Sequence, residues 1–189
     1  VGADRTSGVR ADGSDFATIT VTVRDATGSP IQGATVVLSG SGAGLVFAQP
    51  GATDAAGVAR GSVTAQIAQT ALVFASATAN GVGPILLDQR STIAFVSVPS
   101  AQTSTSLASA ITAAADGNQA VTISVVVRDS VSRPLSGQTV TFTVTGSGNT
   151  LTQPAGASDV NGLVVATLSS TRAETKTVTA TTNGVVIAQ

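Results

Sequence analysis

The stretch from Ile19 to Leu38, ITVTVRDATGSPIQGATVVL, recurs as Ile123 to Phe142, ISVVVRDSVSRPLSGQTVTF, at a spacing of roughly 104 residues. A repeat of that length within 189 residues predicts two small domains rather than one large one. In the first copy Ile19, Val21 and Val23 alternate with Thr20, Thr22 and Arg24, the period of a strand with one buried and one wet face. Ile123, Val125 and Val127 repeat it. Each run ends in Arg-Asp and a polar stretch. Then come Pro30 with Gly33, or Pro134 with Gly137, turn residues that preset φ or permit its positive range. Alternation resumes with Val36 and Leu38 in one copy, and with Val140 and Phe142 in the other. All of these apolar positions are expected in the core.

The rest of the chain extends this all-β reading. Gly40 to Gly44 and Gly146 to Asn149 read as loops, and no helical period comes after them, which removes a phosphate-cradling role. Asp54 to Gly57 and Asp159 to Gly162 read as turns opened by Asp and closed by Gly. Strands over Ala71 to Ala79 and Thr175 to Thr182 run into Asn80-Gly81 and Asn183-Gly184, a strong hairpin signal. The first hairpin is expected to return as one long strand, Ile85 to Val98. The predicted division is a domain over 1–98, a linker over 99–104 (PSAQTS) and a domain over 105–189, each near the size of an immunoglobulin-like β-sandwich.

Composition narrows function. The chain lacks Cys, His, Met, Trp and Tyr, and Glu174 and Lys176 are its only Glu and Lys. Hydroxyl nucleophiles therefore have no imidazole base, and nearly all the acids are Asp in turn contexts, so no enzyme is expected and no catalytic residue is assigned. A net charge of −1 without a basic face argues against nucleic acid. No apolar run approaches the ~20 residues of a spanning helix, so no direct membrane insertion is expected in this segment.

The motif VTVRD with Gly28, Pro30 and Gly33 behind it, followed by TDAAGVARGSV and ATANGV, resembles the bacterial Ig-like (Big-1) repeat of the invasin and intimin family. The resemblance covers nearly the whole chain. The second copy is looser, with Ser132 where the family has Gly before the Pro. The resemblance implies two tandem immunoglobulin-like β-sandwich domains. It also implies a structural rod or spacer module in a surface adhesin, extracellular on the bacterial cell, presenting a distal binding domain away from an outer-membrane anchor. It implies no receptor, because the family's tips carry Cys and many aromatics that this chain lacks. Partners would be adjacent Ig-like repeats or identical subunits. The alternatives are a subunit of an extracellular filament joined by strand donation and an accessory module of a secreted enzyme.

One metal reading arises. Strand parity would bring Asp12 and Asp15 of the first domain to the domain junction with Asp129 and Asp159 of the second, where carboxylates could hold calcium. The plainer reading is that each Asp serves its own turn, with Arg128 or Arg133 nearby to neutralise charge, and no other cofactor is expected. Finally, the second domain has only a few residues after Gly184, so its last strand is expected to be incomplete. Either the chain runs on past Gln189, the expected case, or another chain donates that strand.

Overall fold

The computed structural model describes residues 1–187. The chain divides into two compact units, Val1–Ser97 and Val98–Gln189. In the first unit the strands are β1 (Gly2–Ala3), β2 (Val9–Arg10), β3 (Ala17–Thr22), β4 (Thr35–Ser41), β5 (Leu45–Ala48), β6 (Val58–Ala65), β7 (Gln69–Ala79), β8 (Val82–Leu86) and β9 (Ser91–Val96). One sheet has the order β1-β3-β6-β5 and the other β2-β9-β7-β4, with β8 also beside β7. All pairings in this unit are antiparallel except β2 with β9, which is parallel.

The alternating residues of β3, β4, β6, β7 and β9 meet in one core that includes Ile19, Val21, Leu38, Val63, Val73, Ile93 and Phe95. Full burial of a Val, Leu, Ile or Phe side chain contributes roughly 1.5–3 kcal/mol, so these contacts supply the main driving force. Every core position expected from the repeat, in either copy, is at most 6% exposed.

The second unit contains β10 (Thr105–Ala108), β11 (Val121–Val126), β12 (Thr141–Val144), β13 (Asn149–Thr152), β14 (Leu163–Ser170), β15 (Val178–Thr182) and β16 (Val185–Ile187). Its sheets run β10-β11-β14-β13 and β12-β15-β16. Side-chain clasps fix the equivalence of the two units. Gln49 bonds both backbone groups of Leu38, at 2.7 and 3.0 Å, and Gln153 does the same for Phe142, at 2.9 and 2.7 Å. Thr53 Oγ1 donates to Ile31 O, as Ser158 Oγ does to Leu135 O.

Several expectations change. The long return strand is two, β8 and β9, which occupy successive lengths of the same edge of β7. The polar segment Asp88-Gln89-Arg90 separates them, and β8 is exposed throughout while Ile93 and Phe95 of β9 are buried. Gly40 and Ser41 belong to β4 rather than to a loop, because β7 is long enough to pair with them. In the second unit β15 begins at Val178 instead of Thr175.

The segment 99–104 is hydrogen-bonded within the second unit. Ser100 N–H donates to Arg128 O, Thr103 Oγ1 to Asp129 O, and Arg128 N–H to Ser104 Oγ. The expected incompleteness of the second domain's last strand turns on residues 188 and 189, which lie outside the described residues.

Candidate functional site

Polar side chains concentrate where strands turn, and each is engaged locally. The Arg-Asp pair that closes β3 shows how. Asp25 Oδ1 accepts the N–H groups of Thr27 and Ser29, both at 2.9 Å, while Arg24 Nη1 donates to Gly28 O at 2.8 Å. In the second unit Asp129 Oδ1 accepts Val131 N–H and Arg133 N–H at 3.0 and 2.9 Å, and Arg128 Nη1 donates to Ser132 O at 3.0 Å. Gly28 and Ser132 both have positive φ, 86° and 65°, a conformation that strains the Ser. Asp129 is only 2% exposed. The later turns repeat the device, with Asp54 Oδ1 accepting from Ala56 and Val58 and Asp159 Oδ1 from Asn161 and Leu163.

In the first unit Asp12 and Asp15 are brought together by a turn in which Asp12 Oδ1 accepts the N–H groups of Ser14 and Asp15, at 2.9 and 2.8 Å. Arginines flank them: Arg5 Nη2 lies 2.6 Å from Asp15 Oδ1, and Arg10 Nε 3.4 Å from Asp12 Oδ2. Asp129 and Asp159 lie in separate turns of the second unit, and Oδ1 of each serves its own turn. Among the described residues there is no group of three or more His, Cys, Asp or Glu suited to a metal ion.

The Arg5 hydrogen bond, helped by the N–H of Arg10, holds the Asp15 carboxyl down to about 2, against an ordinary value of 3.8. The folded first unit therefore binds this proton less readily than the unfolded chain does. The stabilisation is complete above the unfolded value and is lost as pH falls through the folded one. Thermal melts are expected to show a modest loss of first-unit stability between about pH 4 and about pH 2, and Asp15→Asn should flatten that limb.

The pattern of residues along the chain did not foretell the role of the lone Glu and lone Lys. In the first unit the Gln69 amide accepts Ala43 N–H at 2.9 Å and donates to Ala43 O at 2.5 Å. In the second, Glu174 Oε1 accepts Ser147 N–H at 2.8 Å and Lys176 Nζ donates to Ser147 O at 2.6 Å. An ion pair at 2.5 Å has taken over the work of one amide. The Lys176 hydrogen bond and the Ser147 N–H hold the Glu174 carboxyl below its ordinary range. The two residues have no shared counterpart elsewhere in the chain, so only the loop geometry pairs them.

Both units are thus β-sandwiches of immunoglobulin-like class whose polar groups hold turns. Residues 3–96 and 103–189 each match the family model of the bacterial Ig-like domain (group 1), and the chain belongs to that family. Among solved structures it is similar to the D0-D1 domain of intimin, at 28% identity over 97% of this chain and 90% of that one, with a TM-score of 0.42. It is also similar to invasin, described as a bacterial integrin-binding protein, at 28% identity over 96% of this chain and 37% of that one, with a TM-score of 0.44. The Escherichia coli adhesin FdeC is 19% identical, over all of this chain and 62% of that one, with a TM-score of 0.47. No curated protein matches the chain.

Proposed function

We propose that this chain is a structural spacer of an extracellular bacterial surface adhesin of invasin or intimin type, a pair of repeats that holds a distal binding domain away from the cell. The family assignment supports a module of this kind, and the chemistry agrees with it. The chain contains no His or Cys, and the Asp side chains described above are spent on turns.

The observation that carries the spacer reading is the tandem repetition of one family module, over residues 3–96 and 103–189, with few residues between the copies. The last strand of the first unit ends at Val96, and Ser100 N–H is already bonded to Arg128 O. Only Ser97, Val98 and Pro99 lie between, and Pro fixes its own φ and restricts its neighbour's backbone. A short connection that contains Pro is what we expect of a spacer. Small-angle scattering of the chain in solution is expected to give a radius of gyration well above the roughly 16 Å of a compact chain of this length. A value near that compact limit would overturn the reading.

A further inference from the structure

An Asn or Asp followed by Gly carries its own reactive partner. The Gly backbone nitrogen, unhindered because no Cβ flanks it, can attack the preceding side-chain carbonyl carbon and close a succinimide ring. The attack needs a Gly N–H that no acceptor holds, a side chain free to turn towards it, and water to carry the proton. The chain has five such pairs: Asp12-Gly13, Asn80-Gly81, Asp116-Gly117, Asn161-Gly162 and Asn183-Gly184.

The fold blocks three of them at the nitrogen: Gly13 N–H donates to Ala65 O and Gly117 N–H to Ser170 O, each at 3.0 Å, and Gly162 N–H to Asp159 O at 2.9 Å. Gly162 is also buried. The other two pairs are hairpin tips, Asn80-Gly81 between β7 and β8 and Asn183-Gly184 between β15 and β16, where both residues have positive φ and the flanking strands pair with each other. Their side chains differ. Asn183 Nδ2 donates to Gln138 Oε1 at 2.9 Å, which holds that amide in place. Ala34 stands where the second unit has Gln138, since each donates its N–H to the hydroxyl of Thr53 or Ser158, and Ala has no amide to offer Asn80. Among the described residues nothing bonds the Asn80 side chain or the Gly81 N–H, and both residues are exposed.

We propose that Asn80 is a self-modifying site of the folded protein, converted to Asp or isoaspartate with water as the only co-reactant. Gly81 N forms a bond to Asn80 Cγ, and its proton passes through water to the departing amide nitrogen, which leaves as ammonia when the Cγ–Nδ2 bond breaks. Water then opens the succinimide. Cleavage of the new N–Cγ bond leaves Asp, while cleavage of the bond from Gly81 N to the main-chain carbon of residue 80 leaves isoaspartate, with the chain routed through Cβ and Cγ. Either product adds a negative charge at the hairpin tip. Isoaspartate also lengthens the turn by one main-chain carbon, and in a two-residue hairpin the turn sets the register. The change should release β8 and little else. All five residues of β8 are exposed, while Leu87 N–H, bonded to Ala75 O at 2.9 Å, and the buried Ile93 and Phe95 hold the chain beyond it. This goes beyond the spacer reading and does not depend on it.

The test incubates the intact chain in mildly alkaline buffer and follows each Asn by peptide mapping, with isoaspartate read by enzymatic methylation of its carboxylate. Asn80 is expected to convert about tenfold faster than Asn183, the factor set by one hydrogen bond that must break first. Gln138→Ala should speed Asn183 by about the same factor and leave Asn80 unchanged. Asn161 should stay unconverted in that variant, which distinguishes a freed amide from an unfolded unit. As Asn80 converts, the amide resonances of Ala79, Val82 and Ile85 should move while those of Ile93 and Phe95 stay. Equal rates at Asn80 and Asn183, or no effect of Gln138→Ala, would overturn the proposal. So would conversion of Asn80 only after denaturant has unfolded the first unit.

Discussion

Replacing Val125 by Asp is expected to unfold the second unit and to leave the first folded. Val125 is 0% exposed and packs in a cluster with Ile123, Val127, Phe142 and Val164, none of which can accept or donate a hydrogen bond through its side chain. The substitution removes a buried apolar group and installs a carboxyl that must either stay ionised in an apolar medium or take up a proton. Either course costs at least about 4 kcal/mol, a large part of the roughly 5–15 kcal/mol by which a domain is stable. Circular dichroism and amide spectra should show loss of second-unit signals only. Val165→Asp is the control, since Val165 lies on the same sheet at 41% exposure and should tolerate charge. Retention of native second-unit spectra in Val125→Asp would contradict this core.

Gly162→Ala is expected to cost about 3–5 kcal/mol, more than a left-handed backbone alone explains. Gly162 has φ of 75°, which strains any residue with a Cβ, and a Cβ there would lie 2.4 Å from Val127 O. That carbonyl cannot retreat: it accepts Leu135 N–H at 2.9 Å, while Val127 N–H donates to Gly162 O at 2.8 Å. The same clash occurs in the first unit, where a Cβ on Gly57 would lie 2.5 Å from Val23 O. Gly137→Ala separates the two effects, because its φ is 74° but nothing lies within 4 Å of the added atom. It should cost only about 1–2 kcal/mol. Denaturant unfolding of the three chains measures the difference, and equal losses for Gly137→Ala and Gly162→Ala would show that the carbonyl contact is immaterial.

The elements legible in the sequence were those with enough length to display a period. The alternation that includes Ile19 and Val21 in β3, and its copy with Ile123 and Val125 in β11, needs several residues before it differs from chance, and both strands have six. β1 and β2 have two residues each, so the crossing of the first segment from one sheet to the other left no pattern to read. The Asp and Gly turns were legible because one residue type answers one local need. The partners of those carboxylates were only partly so, since Asp15 meets Arg5 and Glu174 meets Lys176 through the approach of separate elements or the shape of a loop. The segment 99–104 has the composition of a linker, yet its small hydroxyl residues suit it equally to bonding Arg128 and Asp129.

The parallel pairing of β2 with β9 has a mechanical consequence. These strands lie close to the two ends of the first unit, and they are joined where Val9 faces Phe95 and Arg10 faces Val96, with Ala11 N–H bonded to Val96 O at 2.8 Å. Tension applied between the ends pulls two parallel neighbours in opposite directions along their length. The bonds between them are then loaded in shear and must yield together instead of opening one after another from an end. Resistance to force is governed by the barrier to unfolding, not by equilibrium stability, and this arrangement raises that barrier.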